Sequence, residues 1–186
     1  MPVKRHTTKL SGDNKDEKYI IFRKKNIIHF YCNTDRSAWM IFNEMLYEMN
    51  EDNSIKEIIL RISSGGGEIN YAFNIASLIE NNKKPIHGII DNECSSAAMF
   101  ILLACKTRKA TRCSEFLMHE ANIEIDLKTT ELLKKYNAEM VMEKETKDYF
   151  LAKTKIKSKE YDIINADGIV FYTQDAIKYG IISEVI

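Results

Sequence analysis

The sequence has no surplus of either charge: among its 186 residues, Lys plus Arg and Asp plus Glu each number 27. Bulk charge therefore does not hold the chain to nucleic acid or to a membrane surface, and neither is expected as a partner. A near-zero balance is compatible instead with self-association. Long apolar runs are also missing. The longest, Ala97 to Cys105, is too short to span a bilayer. Cys32, Cys94, Cys105 and Cys113 show no paired C-x-x-C spacing, which argues against a zinc site. The first residues are polar, without the apolar stretch of a signal peptide, so reduced thiols and a cytoplasmic setting are expected. Neither G-x-x-x-x-G-K-[ST] nor G-x-G-x-x-G occurs, so any use of ATP would have to be external.

What is present suits one α/β domain. Apolar residues make up 45% of the chain, enough at this length to bury a sizeable core. Residues 1–18 are polar and read as a flexible N-terminal arm, leaving 19–186 as the domain. Tyr19 to Phe22 and Ile27 to Tyr31 read as strands around a basic turn. Asn33, Thr34 and Asp35 offer N-caps for a helix with Trp39, Phe42, Met45, Leu46 and Met49 at helical spacing. Ile55 to Ile62 reads as a strand, Ala72 to Ile79 as a helical stripe, Pro85 to Ile90 as a strand and Ala97 to Cys105 as a helix. This β-α-β-α-β-α order implies right-handed crossovers and a mostly parallel sheet. Further on, Glu115 to Met118 reads as a strand, Ile123 to Lys128 alternates with period two, and 129–153 reads as one long helix. A short helix over Thr173 to Tyr179 has Thr173 as its expected N-cap and Gly180 as its stop.

Three segments could carry chemistry. Ser63-Ser64-Gly65-Gly66-Gly67 joins a strand to a helix, where glycines let backbone N–H groups face a ligand. Ser96 lies at the next strand-to-helix junction, so its hydroxyl projects at the end of the sheet. The N–H of Ala97 is free to donate there, and with an N–H from Gly67 it could form an oxyanion hole. Plain turns and helix caps are the competing readings of both segments. A serine hydroxyl needs a base within hydrogen-bond reach. His119, at a strand end, is better placed for that than His6, His29 or His87.

In this order and spacing, the segments resemble the ClpP-type proteolytic subunit of the ATP-dependent Clp protease, from about Ile27 to Ile186. Arg61 to Gly67 is similar to the family's strand and Ser-Pro-Gly-Gly turn, and the interval from Gly67 to Ser96 has the family's length. Phe116-Leu117-Met118-His119 is similar to the histidine strand, and Asp175 to Ile182 to the family's C-terminal signature. Gly65 replaces the turn's proline, Glu120-Ala121 replaces Gln-Pro after the histidine, and Asn122 to Lys128 replaces a glycine-rich strand.

The resemblance implies a crotonase-like fold of stacked βαβ units with a handle strand and helix at about 115–153. It implies a serine peptidase with Ser96 as nucleophile, His119 as base and Gly67 and Ala97 as oxyanion donors, needing no metal or cofactor. Counting back from Tyr179-Gly180, the family's aspartate falls on Gly168. Asp167, one residue away, is the expected third triad member, with Asp162 as the alternative. Also implied are homo-oligomeric rings (stacked heptamers, or rings mixed with a related subunit), an AAA+ unfoldase ATPase partner and polypeptide substrates. A stroma or matrix location would follow if a targeting peptide had been removed. The competing functions are a ClpP-like scaffold subunit without activity and an acyl-CoA-processing crotonase-like enzyme.

Overall fold

A computed structural model describes residues 5–6, 20–121 and 129–186. Among these, the order is β1 (Arg5–His6), β2 (Ile20–Lys24), β3 (Ile27–Tyr31), α1 (Arg36–Glu51), β4 (Ile58–Ser64), α2 (Ile69–Glu80), β5 (Ile86–Ser95) and α3 (Ala98–Leu103). Then come β6 (Thr107–Ala110), β7 (Glu115–Met118), α4 (Thr129–Lys153), α5 (Ser158–Asp167), β8 (Ile169–Tyr172), α6 (Thr173–Lys178) and β9 (Glu184–Val185). The fold is mixed α/β, as expected, and its centre is parallel: β3 pairs β4, and β4 pairs β5. Antiparallel pairing is confined to β1–β2–β3 and to β7–β8.

The long strand β5 organises the rest. One edge pairs with β4, while the other pairs first with β6 (Ile90↔Ala110) and then with β7 (Ser95↔Leu117). The Thr111 hydroxyl donates to Asp91 O (2.8 Å) and the Ser114 hydroxyl to Ile90 O (3.2 Å), tying down the turn between β6 and β7. β4 alternates buried and half-buried residues along its length, as a strand covered by helices on one face must. The covered face meets α1 through Phe42, Met45, Leu46 and Met49, α2 through Ala72, Ile75 and Ala76, and α3, which is buried all round. Gly88 permits α3 to approach: a Cβ there would stand 2.9 Å from Leu102 Cδ1 and 3.0 Å from Cys105 Sγ.

Several boundaries differ from the sequence expectation. β4 begins at Ile58, not Ile55, and β5 runs on to Ser95, because strand pairing rather than apolar content sets where a ladder ends. The α3 helix is limited to Ala98–Leu103. Asp35 is the cap of α1, accepting from the Ala38 N–H at 2.8 Å. Thr173 is not a cap: it is the first residue of α6, and its hydroxyl donates to Arg112 O (3.2 Å). Helix α5 and strands β6, β8 and β9 had no counterpart in the expectation. The alternating segment 123–128 lies outside the described residues, as does the arm at 1–18 apart from Arg5 and His6, which pair with β2.

Burial makes the thiols unequal. Cys94 and Cys105 are buried, and burial raises both thiols, that of Cys105 to about 12. Cys113 is exposed. Iodoacetamide is therefore expected to modify Cys113 first in the native protein and to reach Cys94 and Cys105 only on unfolding, as peptide mapping would show.

Candidate active site

The parallel strands β4, β5 and β7 end side by side, and their C-terminal ends carry the three candidate segments. Register places Ser64 opposite Cys94 and Ser95 opposite Leu117, so the β5 end lies between the glycine turn and the histidine strand. The Ser96 N–H donates to Leu117 O at 2.8 Å, and His119 follows two residues later. Three segments distant in sequence thus meet at the sheet edge where open α/β folds bind ligands.

Of Cys94, Ser95 and Ser96, one is turned outward. Cys94 and Ser95 are buried, whereas Ser96 is half-buried and has φ +53°. A side chain in this left-handed region costs about 1–2 kcal/mol. A strained residue in a strand-to-helix turn projects its side chain off the end of the sheet, as a nucleophile elbow does. The Met99 and Phe100 amides bond to Ser96 O and Ala97 O and start the helix. The Ala97 N–H, two positions before Met99, has no acceptor among the described residues.

The glycine turn is pressed against this elbow. Gly66 has φ +99°, and a Cβ there would stand 2.7 Å from Ser95 O, 2.8 Å from Ser96 Cβ and 3.0 Å from Ala97 N. The Gly66 Cα is therefore packed on the turn at Ser95–Ala97. Thr34 clamps the outer side of the glycine turn: its N–H donates to Gly66 O (2.6 Å) and its carbonyl accepts from the Glu68 N–H (2.7 Å). The Gly67 N–H, like that of Ala97, has no acceptor among the described residues. The clamp was not legible in the sequence, where Thr34 read only as a cap candidate. Gly66→Ala is expected to remove the site's reactivity toward a serine-directed probe, while Gly65→Ala, whose Cβ would meet only Asn33 Oδ1 at 3.6 Å, leaves it intact. Intact-mass measurement of probe adducts on both variants checks this.

His119 is half-buried, and its side chain, like that of Ser96, makes no hydrogen bond among the described residues. The other mid-chain histidines are engaged elsewhere. His29 Nδ1 is 3.0 Å from the Tyr31 hydroxyl, which donates to Asp91, and Arg61 Nε holds that carboxylate at 2.9 Å. His87 Nδ1 is 2.8 Å from Thr107 Oγ1.

The position where the resemblance puts the family's aspartate is Gly168. Gly168 closes α5 with φ +64°, and a Cβ built on it would lie 3.7 Å from His119 Cβ. Asp167, the last residue of α5, is exposed and makes no hydrogen bond or ion pair among the described residues. Asp162 is held by Lys147 at 2.5 Å.

Comparison with known proteins bears directly on this arrangement. The sequence matches the Clp protease family over residues 11–186. The chain belongs to the Clp protease family. Its fold is also that of a solved ClpP1 mutant from Listeria monocytogenes, with a TM-score of 0.78 over 87% of this chain and 91% of that one, at 16% identity. No curated protein sequence matches it. The ClpP-like, crotonase-like fold expected from the sequence is therefore present. At 16% identity the neighbour speaks for the fold alone, and the roles of individual Clp-family residues in this chain rest on the local geometry.

Proposed function

We propose that this Clp-family chain is a serine peptidase with Ser96 as nucleophile and His119 as general base. The carrying observation is Ser96 at φ +53° in the β5–α3 turn, with Gly66 packed against it and the Gly67 and Ala97 amides unengaged among the described residues. In the proposed cycle, Ser96 Oγ attacks a peptide carbonyl carbon while His119 takes the hydroxyl proton. The carbonyl oxygen, now negative, is received by the Gly67 and Ala97 N–H groups. Collapse breaks the C–N bond, and His119 returns the proton to the leaving amine. Water then adds to the acyl-enzyme by the same route and regenerates Ser96. Asp167 is the proposed orienting carboxylate for His119.

Around this site we place a single domain at 19–186 with an arm at 1–18. It assembles into rings whose chamber is fed by an AAA+ unfoldase. The handle supports this: α4 packs on the domain through Phe150, while Leu133, Tyr136, Met140 and Val141 stay exposed on its first half. No helix among the described residues is long and apolar enough to cross a membrane, in keeping with the proposed cytoplasmic setting. One observation favours a second reading, an assembled subunit with little activity: glycine, not a carboxylate, faces His119. Labelling with a fluorophosphonate separates the two readings, as argued in the Discussion.

A further inference from the structure

Helices α2 and α4 run side by side, and two contacts set their alignment. The Tyr149 hydroxyl and Lys153 Nζ both reach Glu80 at the end of α2, at 2.9 and 2.6 Å. Toward the start of α2 lies a groove of about 670 Å³ lined by Asn70, Phe73, Asn74, Met142, Glu145 and Tyr149. Asn70 is in the first turn of α2, three residues from Gly67, so the groove opens within about 10 Å of the candidate oxyanion turn. Its base is apolar, with Phe73 and Tyr149 edge to face at 5.6 Å. Asn70, Asn74 and Glu145 are exposed, and none makes a side-chain hydrogen bond or ion pair among the described residues. Of the neighbouring cations, Lys144 pairs with Asp148 at 2.7 Å and also acts on Glu145 through charge, and Lys153 pairs with Glu80.

From this geometry we infer that the α2–α4 groove is the subsite for a basic side chain, lysine or arginine, of the polypeptide substrate. A long cationic side chain fits the two halves of the groove. Its methylene stem covers Phe73, Met142 and Tyr149 while its charged end reaches the Glu145 carboxylate and the asparagine amide oxygens. An acidic side chain would meet the Glu145 carboxylate in the groove lining. The inference rests on the peptidase reading for its substrate class, and its test is arranged to be independent of turnover.

The test uses Ser96→Ala protein and three fluorescent peptides that are identical except for one Lys, Leu or Glu, with affinity read by anisotropy. The Lys peptide is expected to bind about fivefold more tightly than the Leu peptide, the upper range for a solvent-exposed ion pair, and the Glu peptide most weakly. Glu145→Gln removes the preference and Glu145→Lys inverts it. Glu143→Gln, the same charge change two residues earlier on α4 and outside the groove lining, leaves it in place. Equal affinities, no binding of any peptide, or a preference that survives Glu145→Lys would overturn the subsite. Fluorophosphonate labelling of wild-type protein reports on the serine chemistry separately, so either reading can fail without the other.

Discussion

Wild-type protein treated with a fluorophosphonate gains the mass of one adduct, and Ser96→Ala protein gains none. The expectation follows from the elbow. Ser96 Oγ forms a bond to phosphorus as the P–F bond breaks, His119 takes the proton, and the Gly67 and Ala97 amides receive the phosphoryl oxygen as they would an oxyanion. Alanine keeps the backbone of the turn, so circular dichroism of the variant should match wild type. Peptide hydrolysis should fall by a factor on the order of 10⁶ if Asp167 orients His119, and by about 10² if no carboxylate does. A folded, assembled wild type that takes no adduct would instead support the scaffold reading.

The second large effect is a gain. Gly168→Asp is expected to raise kcat by a factor of up to about 10⁴, the scale of the loss when a triad carboxylate becomes an amide. Three features of the position allow it. The new Cβ would stand 3.7 Å from His119 Cβ, an ordinary contact. The φ of +64° is one that Asp and Asn tolerate better than other side chains. The residue ends α5, so no helical hydrogen bond beyond it is lost. Gly168→Asn, similar in shape but uncharged, should give no comparable gain. Asp167→Asn measures the competing arrangement. If Asp167 already orients His119, that change lowers kcat by a similar factor and Gly168→Asp adds little. A steady-state rate comparison of the three variants, with melting temperatures to check folding, decides between the two carboxylate positions.

Much of this site could be read from one-dimensional pattern, and the reason is local. Ser96 and the 65–67 glycines stand at strand-to-helix junctions, where the change from period two to period 3.6 marks the end of a sheet strand. Such junctions in a parallel sheet share one edge, so the topology itself collects them. His119 was separable from His29 and His87 because it follows its strand instead of lying within it. Where reading failed, the deciding contacts were remote. Thr34 clamps Gly66 and Glu68 from more than thirty residues away, and nothing in its own neighbourhood marks it. Helix α5 and strand β8 were missed because their patterns are weak. Ile163 and Val170 are exposed although apolar, and α5 buries only Tyr161 and Ile164.

The sequence by itself determined the α/β class, the order of the central elements, the long handle helix and the residues able to act as nucleophile and base. These follow from periodicity, from capping and turn chemistry, and from side-chain reactivity, all of which act over a few residues. Only the tertiary structure decided that Ser96 is the residue of its triplet turned outward, that Gly66 packs against the Ser96 turn, and that Gly168 lies against His119. Those outcomes depend on strand register and on close approach between backbones. Register and approach are set by packing across the whole sheet, which no local window contains.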